Sequence, residues 1–308
     1  MQINSSLDNI LTPTAIALGN FDGIHRGHLE VIRPVLDCDK PSCYKTVVTF
    51  APHPQQFFTG QPRQLLTPHQ ERVIILEQLG IEQLILLPFD RELVKLSPWE
   101  FVDRILGRQI QAKFVSVGED FRFGNQRAGA ATDLVELMAQ IGVPTRIAPL
   151  ETDGDSRISS SRIRTALLAA DLTLAQVLLG RYYSIVGTVV SGQAIGRSIG
   201  FPTANLQYPP EKFLPRQGVY CVRVDTATAT QLPGVMNIGK RPTVNGLNTT
   251  IEVHLLDWDG DLYGQQLTVH LHHFLRTEQK FPDLVALTNQ IQADCQAARD
   301  FFAAAPSS

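Results

Sequence analysis

The chain has 308 residues, 44% of them hydrophobic and 19% charged, which excludes disorder as the dominant state and suggests two domains of roughly 100–200 residues each. Its 27 basic and 30 acidic residues leave a formal charge of −3, which argues against nucleic acid or an anionic membrane surface as the main partner.

In chain order, the first 180 residues alternate short β-rich runs with helical patterns. Strands are expected at 14–18, 44–50, 81–87, 113–117 and 144–148. Helices are expected at 27–36, 68–79 and 132–140. A further helix starts from Ser97 as N-cap, with Pro98 at its first position and Glu100 closing a capping box. It should run to about Leu106 and stop at Gly107. This alternation predicts a parallel sheet with helices on both faces, and places a ligand at the first strand-to-helix loop. After Gly180 the pattern changes. Strand-like runs at 184–190, 218–224, 234–238, 251–256 and 267–274 are separated by turns rich in Gly, Pro, Asn and Asp, and one helix follows at 284–302. That predicts an antiparallel β-barrel closed by a C-terminal helix. The boundary falls within 172–181, giving domains 1–180 and 181–308.

Cys38, Cys43, Cys221 and Cys295 form no CxxC pair and read as free thiols of a reducing compartment. No basic-then-apolar leader opens the chain, and no apolar run reaches the roughly 20 residues of a spanning helix. A cytoplasmic location is therefore expected.

The loop after the first strand reads Gly19-Asn20-Phe21-Asp22-Gly23-Ile24-His25-Arg26-Gly27-His28. Its glycines allow a tight turn and close approach of a ligand, and it feeds a helix N-terminus whose free N–H groups favour phosphate. His25 and His28, three apart, can serve one bound phosphate, hold a metal, or form a capped surface pair. Phe121 and Phe123 can embrace a flat ring or fill the core of a turn. Ser159-Ser160-Ser161 followed by Arg162 and Arg164 suits a polyphosphate or an N-cap run. In the second half, Thr203 and Asn205 alternate onto one face, where they can hold a hard cation or stabilise a turn. No Walker P-loop is present. His270 and His272 share a strand face, but no carboxylate or Cys completes a metal set beside them in sequence.

The segment from Gly19 to His28 resembles the HxGH signature of nucleotidyltransferases, in the form found in prokaryotic bifunctional riboflavin kinase/FAD synthetases. Phe50-Ala51-Pro52-His53-Pro54, Gly118–Gly124 with Asn125, and Ser159–Arg164 resemble three further motifs of that family. The resemblance implies ATP binding by Gly19, Phe21, Asp22, Gly23, His25, Gly27, His28, Ser160, Ser161 and Arg164. It implies flavin binding by His53, Pro54, Asp120, Phe123 and Asn125. Ser161 replaces the usual Thr, and Ala170 stands where a Gly is expected after the motif's helix.

The second half resembles riboflavin kinases. Gly196-Arg197-Ser198-Ile199-Gly200-Phe201-Pro202-Thr203-Ala204-Asn205 is similar to the PTAN motif region. Asn237–Thr243, Glu252–Asp257, Asp261–Gly264 and Leu275–Phe281 match later segments. The resemblance implies ATP binding by Gly196, Arg197, Gly200, Pro202, Thr203 and Asn205, with Mg²⁺ on Thr203 and Asn205. It implies flavin binding by Arg276 and Glu278, and Glu252 as general base. Pro282-Asp283 replaces the family's usual Ser.

Together these imply phosphorylation of riboflavin to FMN with release of ADP, then adenylylation of FMN to FAD with release of pyrophosphate. ATP is co-substrate in both steps. Mg²⁺ is required, no prosthetic group is permanently bound, and no protein partner is named. Two rivals stand beside this: a nucleotidyltransferase for another phosphate ester, with the barrel as accessory, and a flavin-binding carrier without turnover.

Overall fold

The computed structural model describes residues 1–38, 43–191, 200–243 and 246–304, and the chain divides into two units, Met1–Ser160 and Ser161–Ser308. The strands of the first unit are β1 (Gln2–Asn4), β2 (Thr14–Leu18), β3 (Tyr44–Ala51), β4 (Gln83–Pro88), β5 (Ala112–Gly118), β6 (Arg122–Phe123), β7 (Gly129–Ala130), β8 (Thr145–Ala148), β9 (Thr152–Asp153) and β10 (Ser156–Arg157). Six of them form a wholly parallel sheet in the order β1-β4-β3-β2-β5-β8. The pairs β6–β7 and β9–β10 are small antiparallel additions that periodicity did not reveal.

Both sheet faces are buried, as continuous apolar strands require. In β2, Ile16 and Leu18 enter one core cluster and Ala15 and Ala17 the other. The small alanines lie on the side of α1 (Arg26–Leu36), which buries Val31, Ile32 and Val35 there. Further helices are α2 (Pro54–Thr59), α3 (His69–Gln78), α4 (Arg91–Lys95), α5 (Pro98–Glu100) and α6 (Ala131–Gln140). The strand order reverses at β2, since β3 and β4 extend to one side and β5 and β8 to the other. The loop after β2 therefore opens at the switch point, where such sheets bind ligands.

The capping box forms as expected: Glu100 N–H donates to Ser97 Oγ at 3.2 Å and Ser97 N–H to Glu100 Oε2 at 2.8 Å. The expected stop at Gly107 is wrong. The helix continues as π-helical turns over Phe101–Gln109, with Ile110 N–H reaching Ile105 carbonyl at 2.9 Å. Burial of Val102, Leu106 and Ile110 outweighs the roughly 1 kcal/mol that glycine costs a helix, and Ile141 packs against the bare Gly107 backbone.

Helices α7 (Ser160–Leu168) and α8 (Leu172–Leu179) follow. The segment read as a domain boundary is thus largely a helix, burying Leu172, Ala175, Leu178 and Leu179 and ending at Gly180 in the left-handed conformation. In the second unit β11 (Tyr183–Val190), β12 (Ala204–Gln207), β13 (Gly218–Asp225), β14 (Leu232–Thr243), β15 (Gly246–Leu255) and β16 (Gln266–Arg276) close an antiparallel barrel, order β11-β12-β15-β14-β13-β16. Tyr220, Met236, Val253 and Val269 fill its interior. Outside, Val219, Cys221 and Val235 pack under Cys295 and Ala298 of α9 (Leu284–Ala304). All four cysteines are free thiols.

Candidate active sites

The loop after β2 is held in a strained conformation. Phe21, Gly23 and Ile24 all have positive φ, at 47°, 95° and 39°. Such values are rare for an aromatic and an outlier for a β-branched residue, and strain of this kind gathers at functional sites. Its anchors are internal. The Phe21 and Ile24 side chains are buried in the core. The Asp22 carboxylate is 2% exposed and accepts from the Leu66 and Thr67 N–H groups at 2.8 and 3.3 Å. Gly23 N–H donates to Thr67 Oγ1 at 2.9 Å. Buried Arg72 of α3 lies beside Asp22; burial lowers its pKa and the Asp22 charge acts to raise it. Phe21 and Asp22 therefore shape the loop from beneath.

His25 is the N-cap of α1, its Nδ1 accepting from His28 N–H at 3.3 Å, so in the neutral ring the hydrogen resides on Nε2. The His25 and His28 rings stack at 3.6 Å with an interplanar angle of 14°. A side chain at Gly27, the residue just before His28, would crowd the His25 ring, with its Cβ 3.3 Å from Nδ1. Ser160 Oγ donates to the Asp22 carbonyl at 2.8 Å, which fixes Ser160 against this loop. Ser161 is exposed, and Arg164 lies over the Phe213 ring at 5.5 Å.

His53 is the N-cap of α2, with Pro54 at its first position. Its Nδ1 accepts from Gln55 N–H at 3.1 Å, which again leaves Nε2 as the hydrogen-bearing nitrogen. Asp120 pairs with Arg157. Phe123 is buried, stacked on Phe121 and packed on Phe101, so its ring is part of the core; Asn125 is exposed.

On the barrel, strand register assembles the second site. Asn205 of β12 pairs with Glu252 of β15, and Glu252 with Asn237 of β14, so the three stand abreast on one face. Their neighbours Ala204, Val253 and Met236 point into the barrel, which puts this row outside. Thr203, two residues before Asn205, precedes β12, and Pro202 just before it offers its carbonyl to His254 Nδ1 at 2.8 Å. A carbonyl only accepts, so Nδ1 carries the hydrogen. A side chain at Gly239 would collide with the Glu278 carboxylate and crowd the Asn237 amide, so Glu278 rests on bare backbone at the end of the row. The Arg276 guanidinium grips Asp294 of α9. Gly200 has a φ of 88°, while Gly196 and Arg197 lie outside the described residues.

A family model described as FAD synthetase matches residues 7–162, and one described as riboflavin kinase matches residues 179–302. The chain belongs to the bifunctional riboflavin kinase/FAD synthetase family. A bifunctional riboflavin kinase/FMN adenylyltransferase of Pseudomonas fluorescens is 43% identical, over 94% of this chain and 93% of the relative. The Escherichia coli K12 protein of the same description is 38% identical, over 93% and 92%. A solved Streptococcus pneumoniae structure described as a macrolide-efflux protein superposes with a TM-score of 0.84 at 31% identity, covering 96% of this chain and 98% of that one. The efflux description belongs to that protein; among the described residues here, no helix is long and apolar enough to cross a membrane.

Within this family frame, sequence reasoning missed three features. Phe50, Phe57, Phe58 and Phe89 form an edge-to-face cluster beside His53, and Phe58 is 66% exposed. The adjacent phenylalanines after the Pro-His-Pro run were the available signal. Asn237 joins Glu252 only through strand pairing, which a single sequence does not display, whereas His254, two residues after Glu252 on the same strand, was within reach of the two-residue alternation.

Proposed function

We propose that the chain phosphorylates riboflavin to FMN on the outer face of the barrel and adenylylates FMN to FAD at the loop after β2, with ATP as donor in both steps. The observation that carries the residue assignment is the row Asn205–Glu252–Asn237, a carboxylate flanked by amides on one face. In the first step Glu252 takes the proton of the riboflavin 5′-hydroxyl as its oxygen bonds to the γ-phosphorus of ATP, and ADP leaves. Thr203 and Asn205 offer the hard oxygens that Mg²⁺ accepts, and the cation, when bound, neutralises phosphate charge. Gly200 and Pro202 line the nucleotide side and Arg276 and Glu278 the flavin side; Gly196 and Arg197, assigned to the nucleotide by resemblance, lie outside the described residues.

In the second step an FMN phosphate oxygen attacks the α-phosphorus of ATP and pyrophosphate leaves. His25 and His28 donate to the α-phosphate, the former through Nε2. Gly19, Gly23 and Gly27 let backbone N–H groups approach, and Ser160, Ser161 and Arg164 hold the leaving pyrophosphate. His53, Pro54, Asp120 and Asn125 form the flavin side, with the buried Phe123 ring supporting that loop from the core. We assign adenylylation to residues 1–180 and the kinase to 181–308, although α8 packs on β11 and β16 of the barrel. We place the protein in the cytoplasm, in keeping with four free thiols.

The test is chromatographic. The protein is incubated with riboflavin, ATP and Mg²⁺, and FMN and FAD are followed over time. Wild type should form FMN, then FAD. His28→Ala should accumulate FMN, with adenylylation lower by about 10²–10³-fold. Glu252→Gln should lose about 10²–10⁴-fold in FMN formation yet convert added FMN to FAD. Kinase activity that survives Glu252→Gln would remove Glu252 from its role.

A further inference from the structure

Near the middle of α9 an aspartate is buried against the barrel. Asp294 is 6% exposed, beside Cys295 and close to the apolar cluster that joins the helix to β13 and β14. Aspartate is a poor residue for a helix interior, and a buried carboxylate needs a partner. Its partner is Arg276, the last residue of β16. Arg276 Nε donates to Asp294 Oδ1 and Oδ2 at 2.9 and 3.2 Å, and Nη2 to Oδ2 at 2.7 Å. Gln290, one turn earlier on α9, donates to Oδ1 at 2.9 Å. The remaining arm of the guanidinium turns to the following loop, with Nη1 donating to Thr277 carbonyl at 3.1 Å and the Phe281 ring 5.8 Å away.

A buried ion pair of this kind is weak evidence of stabilisation, because apolar residues of similar volume usually serve as well. What it does supply is geometry. The fork of arginine against a fixed carboxylate leaves one orientation, and a helix is a rigid mount for it. The residue so fixed is two positions before Glu278, whose carboxylate rests on Gly239 beside Asn237, at the end of the row that carries Glu252. The side chains of the loop 277–280 are exposed.

We propose that Asp294 is a positioning residue of the riboflavin kinase site: through Arg276 it sets the loop that presents Glu278 to the flavin. This rests on the kinase reading above, and goes beyond it by making the C-terminal helix part of the substrate site. A carboxylate that merely filled the core would affect folding of the whole barrel and both substrates alike.

The test uses the full chain and the variants Asp294→Asn, which keeps the shape and removes the charge, and Arg276→Lys, which keeps the charge and removes the fork. Riboflavin and ATP are titrated separately in the kinase step, FMN adenylylation is assayed in parallel, and trypsin cleavage after Lys280 is timed. For both variants the KM for riboflavin should rise about 10- to 100-fold while the KM for ATP and the adenylylation rate stay at wild-type values. Tm should fall, as breaking a buried pair requires, and cleavage after Lys280 should quicken at temperatures well below the lowered Tm, where the barrel is still folded. Should Asp294→Asn fail to fold, Asp294→Glu, with its carboxylate one methylene out of place, gives the same readouts. An unchanged KM for riboflavin with a lowered Tm would overturn the proposal and leave Asp294 a core residue. Wild type that forms no FMN would instead sink the kinase reading, and the proteolysis would still report on the clamp.

Discussion

The two sites are built by opposite means. The loop after β2 is a backbone device, with three residues at positive φ held by a buried carboxylate, core side chains and a helix N-terminus. The row on the barrel is a side-chain device on regular strands, where register alone brings Asn205, Glu252 and Asn237 together. Damage should therefore spread differently. A strained loop depends on residues that never touch substrate, whereas a ladder tolerates the loss of one rung without moving the next.

The largest expected effect comes from removing the brace of the loop. Asp22→Ala removes the carboxylate that accepts from two buried N–H groups and that neighbours the buried Arg72 charge, at a cost of about 3–5 kcal/mol. The loop should relax and adenylylation should fall below detection. Riboflavin phosphorylation should survive wherever the barrel remains folded. Thermal unfolding read beside both assays decides this. Adenylylation near the wild-type rate in Asp22→Ala would show that the strain is incidental, and the contrast between the sites would collapse.

How much of this was legible in the sequence follows the same division. Five of the six sheet strands and five of the six barrel strands were legible, since a two-residue alternation or an apolar run with flanking turns is a local signal, and β2 falls on Thr14–Leu18 as expected; the short edge strand β1 and the four-residue β12 were missed. The helix through Gly107 did not read well, because burial of Val102, Leu106 and Ile110 overrode a local breaker. Helix α8 was taken for a boundary because eight residues give too short a periodic signal. Of the sites, the glycines and histidines of the loop were visible as a pattern. The inward turn of Asp22 was not, nor was the pairing of Asn237 with Glu252 or the grip of Asp294, since each depends on residues distant in sequence.

A smaller effect concerns pH and the barrel. His272 packs on Tyr182 at 3.7 Å and on Phe302 of α9, with no hydrogen-bond partner at Nε2 among the described residues. Burial, then the nearby Arg223 and His270, lowers its pKa to about 4. His270 is itself paired with Asp225. Unfolded, the imidazole titrates near 6.5. Between these values the unfolded chain binds a proton that the folded one refuses, so stability falls as pH drops from about 6.5 to 4 and is flat above. His69 in the sheet unit is shifted the same way, by burial and by Arg72. The contribution of His272 is isolated by His272→Phe, which keeps an aromatic against Tyr182. Its Tm should decline less than that of wild type over this window, and parallel curves would remove His272 from the account.

The smallest effect tests whether strain marks a site wherever it occurs. Ala170, between α7 and α8, has a φ of 60°, in the left-handed region that glycine adopts freely. Ala170 is not itself a candidate site residue, unlike Phe21, although it follows the helix that carries Ser160, Ser161 and Arg164. Ala170→Gly should relieve it and raise stability by up to about 1 kcal/mol, partly offset by the greater freedom of the unfolded chain. Both activities should remain as in wild type. If Tm rises and activity holds, strain at Ala170 is a departure the fold absorbs, and strain in the loop after β2 keeps its separate meaning. If either activity changes, the turn between α7 and α8 is coupled to a site, and the clean division between a backbone device and a side-chain device no longer stands.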